Sequence, residues 1–435
     1  MVADLFALSE RVLADHDVSI DGLHVDPDDG EHDRYCELLG TATLPQFQRG
    51  TPPFDTEGLF ELDADGAPVV QRMETIPLVI TIPRGEMPAQ GWPLVTYFHG
   101  SGGLASQVVD RGPRVEGGEP VIGQGPAWVL AEQGLAAFGS ALPISPDRVP
   151  GAGATDYLNL DNLAMTRDLF RQGVLEQRLL ADALARIEIP TAALEGCAGA
   201  TLPAGAISHR FDPDAFVAMG QSMGGMYTNL VGAVEPRYRA FVPTGAGGLW
   251  TYFILETDLV PGSFFATLLG IPGEGFSHLH PAMALAQMAL EPVEPFVSMP
   301  RLSRRPLPGV DARPVYEPVG MGDSYFPTTI YDGAALAYGH EQAGDEVWPT
   351  MQGALALAGR DGIVPYPVSQ NLVSEGGAAY TGAVVQYAGD GFSDPHDIFV
   401  QLPEVRWQYA CFLRSAIENG AGTLYAPAPG TACPE

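Results

Sequence analysis

One short segment constrains this chain more than any other. In Phe216-Val217-Ala218-Met219-Gly220-Gln221-Ser222-Met223-Gly224-Gly225-Met226-Tyr227, an apolar run with strand character enters a glycine-flanked turn and leaves as a helix. A turn that tight crowds the residues two before and two after its central serine. Only very small side chains fit there, hence Gly220 and Gly224. The pattern G-x-S-x-G arises by chance in a chain with 52 glycines. The strand before it and the helix after it give it meaning. They lift the Ser222 hydroxyl above a sheet edge and aim the partial positive charge of a helix N-terminus at it.

The surroundings read as a large, mostly parallel sheet. From about residue 75, short β-rich runs at 75–83, 93–98, 135–141, 215–219, 240–243, 314–319 and 383–387 alternate with helical stretches such as 160–184. Several runs are continuously apolar, as strands buried on both faces require. The expected architecture is therefore α/β, with helices on both faces of the sheet. Residues 1–74 read as an N-terminal extension packed on the core. They hold an acidic cluster (Asp26, Asp28, Asp29, Glu31, Asp33) whose spacing fits no EF-hand. Asp65-Gly66 reads as a hairpin turn, because a calcium loop starting at Glu61 would put Arg72 where the ion needs a carboxylate. Residues 246–312 interrupt the rhythm. Leu249, Trp250, Phe253, Phe264, Phe265, Leu268, Phe276 and Phe296 make that stretch an inserted apolar helical cap, with 75–245 and 313–435 forming the core.

Charge and cysteine content narrow the partners. The net charge is −31, and all 22 basic residues are arginine. So acidic a surface repels nucleic-acid phosphates and anionic lipid head groups. No apolar run reaches the length of a membrane span. Cys36, Cys197, Cys411 and Cys433 form no C-x-x-C pair, which argues against a zinc or redox site. Cys433 follows closely on the last helix, which carries Cys411, so those two are expected to pair, and Cys36 with Cys197 by elimination. Two disulfides suit a secreted or periplasmic protein. Met1-Val2-Ala3-Asp4 lacks a signal peptide's basic start, so a mature form is expected.

The chemistry the serine needs can be sought by residue type. Acyl transfer requires two backbone N–H donors at the developing oxyanion. Met223 supplies one. The second is expected from Ser101, in the glycine loop His99-Gly100-Ser101-Gly102-Gly103 that ends the strand 93–98. A phosphate-binding loop is excluded there, since the chain has no lysine to complete it. A serine hydroxyl also needs a general base, and only His340 and His396 follow the insertion. His340 falls in the helical stretch 334–342 and reads as a helix-surface residue. His396 lies in the loop between the last strand and the last helix, where the base is expected.

Two aspartates compete to orient that base. Asp361 follows Gly359-Arg360 at the shorter and more usual distance from His396, but the Ala/Leu-rich run before it suits a helix or loop better than a buried strand. Asp323 follows a strand and Gly320-Met321-Gly322, and a helix expected over 329–342 comes after it. Asp323 is favoured, with Asp361 as the alternative. Asp394 and Asp397 flank His396 too locally to hold its ring from behind.

Taken together, the elbow, the 99–103 loop and the order Ser, Asp, His resemble the α/β-hydrolase superfamily over roughly residues 75–420. More narrowly, Gln172-Gly173 after Arg167-Asp168, His280-Pro281, Gly320-Met321-Gly322-Asp323-Ser324-Tyr325 and Phe412-Leu413-Arg414-Ser415 resemble large, often exported bacterial lipase- and esterase-like serine hydrolases. In that group the Gly-x-Gly-Asp-x-Tyr segment carries the triad acid, which implies Asp323. The chain departs from the group in placing Asp394-Pro395 before His396, where Asp-Gly is usual. The resemblance implies hydrolysis of a small-molecule or polymeric carboxylic ester through an acyl-enzyme, with no metal or cofactor. A peptidase or amidase with the same three residues, and a non-catalytic binding protein on the same scaffold, are the alternatives.

Overall fold

The structure is a computed structural model. It describes residues 1–28, 30–258, 266, 267, 270 and 277–434. Asp29, and Phe264, Phe265, Leu268 and Phe276 of the expected cap, lie outside the described residues.

An eleven-stranded sheet organises the chain. Its strands, in chain order, are β1 (Ile20–Val25), β2 (Tyr35–Gln46), β3 (Arg72–Pro83), β4 (Trp92–Phe98), β5 (Ala136–Ser140), β6 (Phe211–Gln221), β7 (Tyr238–Thr244), β8 (Val315–Gly320), β9 (Glu341–Ala343), β10 (Ile363–Val364) and β11 (Gly382–Tyr387). Across the sheet the order is β1-β2-β3-β5-β4-β6-β7-β8-β11-β9-β10. Every pairing from β5 to β10 is parallel, and β1, β2 and β3 join in antiparallel fashion. The seven runs expected as strands are all strands, one to four residues adrift at their ends.

Alternation along each strand splits the core in two. Phe216 and Ala218 enter one apolar cluster, and Val217 and Met219 the other. Helices α1 (Val2–Asp15), α3 (Leu163–Leu184), α4 (Met223–Gly232) and α8 (Thr328–Tyr338) cover the first face. Helices α2 (Pro126–Glu132) and α9 (Pro403–Asn419) cover the second. With both faces covered, strands such as β8 and β11 are buried at every position, and their two polar residues, Glu317 and Gln386, are buried with the apolar ones.

Two expectations need correcting, and a third, the turn at Asp65-Gly66, is met. Residues 1–74 are more than an extension, because β2 pairs with β3 over its full length and belongs to the central sheet. The expected turn is present, with Gly66 at φ +78 and its amide donating to the Asp63 carbonyl at 3.1 Å, but only the bridge Leu62–Pro68 flanks it. His340 is not a helix-surface residue. Gly339, at φ +77, ends α8 in a left-handed cap, and His340 enters the core beside β9 at 1% exposure. Its Nδ1 meets Glu317 on β8 at 3.1 Å, and burial pushes the Glu317 carboxyl well up and the His340 ring down to about 3.

The insertion after β7 contributes helices α5 (Trp250–Glu256), α6 (Pro281–Leu290) and α7 (Pro295–Leu302), which pack against α3, α4 and α8 on the first face. Glu294 ties the first helix of the insertion to its last. Its buried carboxylate accepts the Leu249 and Trp250 amides at 2.7 and 3.1 Å, and the Phe296 amide at 3.2 Å. Disulfides join Cys36 to Cys197 and Cys411 to Cys433, the expected pairs. No described helix is long and apolar enough to cross a membrane.

Candidate active site

The site forms where β6 turns into α4. Ser222 sits between them at φ 60°, ψ −125°, a conformation that costs a non-glycine residue about 1–3 kcal/mol. Its amide donates to the Thr244 carbonyl at the end of β7 (3.0 Å), which anchors the turn to the neighbouring strand. The glycine requirement is steric. A Cβ on Gly220 would lie 2.2 Å from the Gly224 carbonyl oxygen, and one on Gly224 would lie 1.9 Å from that of Phe98. Met223 opens α4, so its amide is one of the helix's unpaired donors.

The loop after β4 lies directly against this turn. Gly100 meets the Gln221 side chain, and the Gly103 amide closes a tight turn onto the Gly100 carbonyl (3.1 Å), with half-buried Ser101 inside it. His99 braces the loop. Its Nε2 accepts the Leu142 amide at 2.9 Å, so Nδ1 carries the proton and donates to the Gly100 carbonyl at 2.7 Å. Burial lowers the ring's pKa to about 4, which keeps it neutral. His99 is therefore a strut and not a rival base.

His396 approaches from the loop between β11 and α9. Its carbonyl accepts Gln221 Nε2 at 3.4 Å, and its ring lies against Gly245, the residue after Thr244. Nδ1 is 2.7 Å from Asp323 Oδ2. An ionised carboxylate only accepts, so Nδ1–H is the donor and Nε2 keeps its lone pair. That Nε2 is buried and has no hydrogen-bond partner. Tyr325 stacks on the ring at 4.1 Å between centroids, with 16° between planes.

The two competing aspartates differ sharply in place. Asp323 is 5% exposed at the end of β8, and its Oδ1 accepts the Tyr325 and Phe326 amides at 2.7 and 2.9 Å. Asp361 is exposed in the turn after the helix Thr350–Ala356. The structure thus brings Ser222, His396 and Asp323 together beside Met223 and the Ser101 turn, and leaves Asp361 outside.

Several residues of the site escaped the sequence reading. Asp394 does not touch the His396 ring, but its carboxylate accepts the His396 amide at 2.9 Å and binds Ser324. Arg111 spans the elbow and the His396 loop, donating to Gln221 Oε1 and to Asp397 Oδ1 at 2.6 Å each. Tyr331, on α8, donates its hydroxyl to Asp323 Oδ2. Asp394 and Arg111 join segments far apart in the chain, and Tyr331 reaches back from a helix to the turn before it, so no short motif marks them.

A serine held in strained backbone at a helix N-terminus, an imidazole with a free nitrogen on a loop packed against that turn, and a buried carboxylate behind the imidazole are the parts of nucleophilic acyl transfer. This sheet order, with the strand–turn–helix at Ser222, is the α/β-hydrolase fold. No family model matches the sequence, and no curated protein matches it either. Among solved structures, the fold is similar to acetyl xylan esterase 1 from Thermoanaerobacterium sp. JW/SL YS485, with 16% identity, a TM-score of 0.45, and coverage of 77% of this chain and 83% of that one. It is also similar to the acetyl xylan esterase from Paenibacillus sp. R4, with 13% identity, a TM-score of 0.45, and coverage of 83% and 86%. A third likeness is to 2,6-dihydroxy-pseudo-oxynicotine hydrolase, with 15% identity, a TM-score of 0.39, and coverage of 86% and 71%. These are likenesses of chain path.

Proposed function

We propose that this protein is a serine hydrolase that cleaves carboxylic esters through an acyl-enzyme. Ser222 is the nucleophile, His396 the general base, and Asp323 the carboxylate that orients the base. The observation that carries the reading is the 2.7 Å contact of His396 Nδ1 with Asp323, which leaves Nε2 buried and without a partner on a loop bonded to Gln221, the residue before the strained serine.

The steps follow from the geometry. His396 Nε2 takes the Ser222 proton as the hydroxyl oxygen attacks the ester carbonyl. The Met223 and Ser101 amides, helped by the α4 N-terminus, hold the oxyanion. The imidazolium then protonates the leaving alkoxide. Water, activated by the same imidazole, releases the acid and restores Ser222. Asp323 keeps the ring in the productive tautomer and stabilises its cationic form.

The apolar composition of residues 246–312 supports a role for that insertion as a cap that favours hydrophobic acyl or aryl esters. The two disulfides support an oxidising, exported setting.

A fluorophosphonate probe tests the assignment directly. Ser222 is expected to label in the folded protein, and S222A to abolish both labelling and turnover of nitrophenyl esters. D323N is expected to lower kcat by about 10⁴-fold and D361N by less than about twofold. Turnover that survives D323N but not D361N would overturn the acid's assignment. A matched pair of ester and anilide substrates with one acyl group separates esterase from amidase, and a chain-length series run beside a polyester film sets the size of the acyl site.

A further inference from the structure

The carboxylate behind His396 has a second partner on the same oxygen. Asp323 Oδ2 accepts both His396 Nδ1 and the Tyr331 hydroxyl, while Oδ1 accepts the Tyr325 and Phe326 amides. A carboxylate offers about four lone-pair positions. All four are occupied, so no rotation of the group is free of cost. Two of these donors belong to the acid's own turn and one is the histidine. Tyr331 is the only one that arrives from elsewhere, on the first turns of α8. Its ring is fully buried against Phe326, and the ring contact does not need the hydroxyl.

We infer that Tyr331 is a positioning residue for the proposed reaction, one that fixes Asp323 Oδ2 on the His396 axis and shares its negative charge. The inference rests on the assignment of His396 and Asp323 made above. The physical case is as follows. Before His396 takes a proton, Asp323 is an ion in a dry setting, and such an ion needs donors. A phenol supplies one without bringing a charge. Burial and the nearby carboxylates of Asp323, Glu317 and Asp394 hold Tyr331 well above the ordinary tyrosine range, so it remains a donor at every working pH. Sharing Oδ2 also tempers the pull of the carboxylate on Nδ1. With the hydroxyl gone, Asp323 becomes a stronger acceptor toward an imidazolium but a less constrained one. The base then holds its proton more tightly and is less well aimed.

Y331F tests this, because it keeps the ring and removes one oxygen. The expected result is a fall in kcat of roughly tenfold with KM unchanged, a parallel fall in the rate of fluorophosphonate labelling, and an acid limb of kcat/KM displaced to higher pH. In a D323N background the same change should have no further effect, since the hydroxyl acts through that carboxylate. A Y331F enzyme with unchanged kcat and acid limb would overturn the inference. So would a Y331F chain that fails to fold, which would make the hydroxyl structural, or losses that multiply in the double variant. If Ser222 labels in the wild type and Y331F is indifferent, this inference alone fails. If Ser222 does not label in the wild type, the assignment beneath it fails as well.

Discussion

Asp394 and Ser324 tie together the two loops that carry His396 and Asp323. Asp394 lies two residues before His396, and Ser324 directly follows Asp323. The Asp394 Oδ1 accepts the Ser324 amide at 3.3 Å and the His396 amide at 2.9 Å, and its Oδ2 accepts the Ser324 hydroxyl. The 2.7 Å contact between His396 and Asp323 is therefore held by more than its own hydrogen bond. One half-buried carboxylate sets the separation of the two loops.

Removing that clasp should loosen the pair without removing any reacting group. D394A leaves three donors without their acceptor, and hydrogen bonds to a charged group contribute about 1.5–3 kcal/mol each where they are well made. The site is half-exposed, so water replaces part of this. D394A is expected to lower kcat/KM for a nitrophenyl ester by about tenfold and the melting temperature by about 2–4 °C. D394N, which keeps an acceptor at Oδ1, should fall between the two. Steady-state kinetics and a thermal melt on the same preparations check this, and a D394A enzyme of wild-type activity would show that the loops hold themselves.

The elbow glycines make a sharper prediction, because the space they occupy is bounded by backbone. A methyl group on Gly224 would stand 1.9 Å from the Phe98 carbonyl and 2.6 Å from that of His99, and neither can move without disturbing β4 and the loop after it. G224A is expected to cost about 3 kcal/mol or more, and to abolish activity even where the protein remains soluble. Gly353, inside the helix Thr350–Ala356, is the counterpart: nothing stands within 4 Å of its added methyl. G353A should stabilise the fold by about 0.5–1 kcal/mol, since alanine loses less backbone entropy in a helix. Urea unfolding of the two variants beside the wild type decides, and equal effects would contradict the steric reading of the motif.

These glycines show what can be read from a chain alone. Gly220, Gly224 and the apolar run before them form a local pattern with a local cause, and the strands of the sheet interior were legible for the same reason. Asp323 could be preferred over Asp361 because a strand and a glycine turn precede it and a helix follows it, whereas an Ala/Leu run precedes Asp361. Strand β2 was not legible, since Glu37, Gly40 and Pro45 break its pattern; Glu37 is buried only because His32 meets it at 2.9 Å. The environment of His340 was misread because its partner, Glu317, is on another strand and the helix expected to run to residue 342 ends at Tyr338, capped by Gly339. Tyr331, Asp394 and Arg111 act across the sheet's loops, and their residue types are ordinary. Such residues emerge only when the loops are brought together.

Stability should depend on pH through His99, the strut beneath the loop after β4. His99 is buried and neutral, and its pKa is lowered from the ordinary 6.5 to about 4 by loss of solvent. An unfolded chain takes up the proton near 6.5, while the folded one resists until about 4. Between those values the unfolded state holds more protons, so the contribution of this residue to stability is complete above pH 6.5 and is lost as the pH falls toward 4. The full difference amounts to about 3 kcal/mol. His340, lowered to about 3, adds in the same direction. The net charge of −31 works the other way, because acidification relieves the repulsion among carboxylates. The wild-type profile alone therefore does not isolate the histidine. The expected result is a difference: in urea unfolding at pH 4.5, 5.5, 6.5 and 7.5, H99Q should be less stable than wild type at neutral pH and should close that gap as the pH falls. Parallel profiles for the two proteins would mean that His99 is protonated as readily in the fold as outside it.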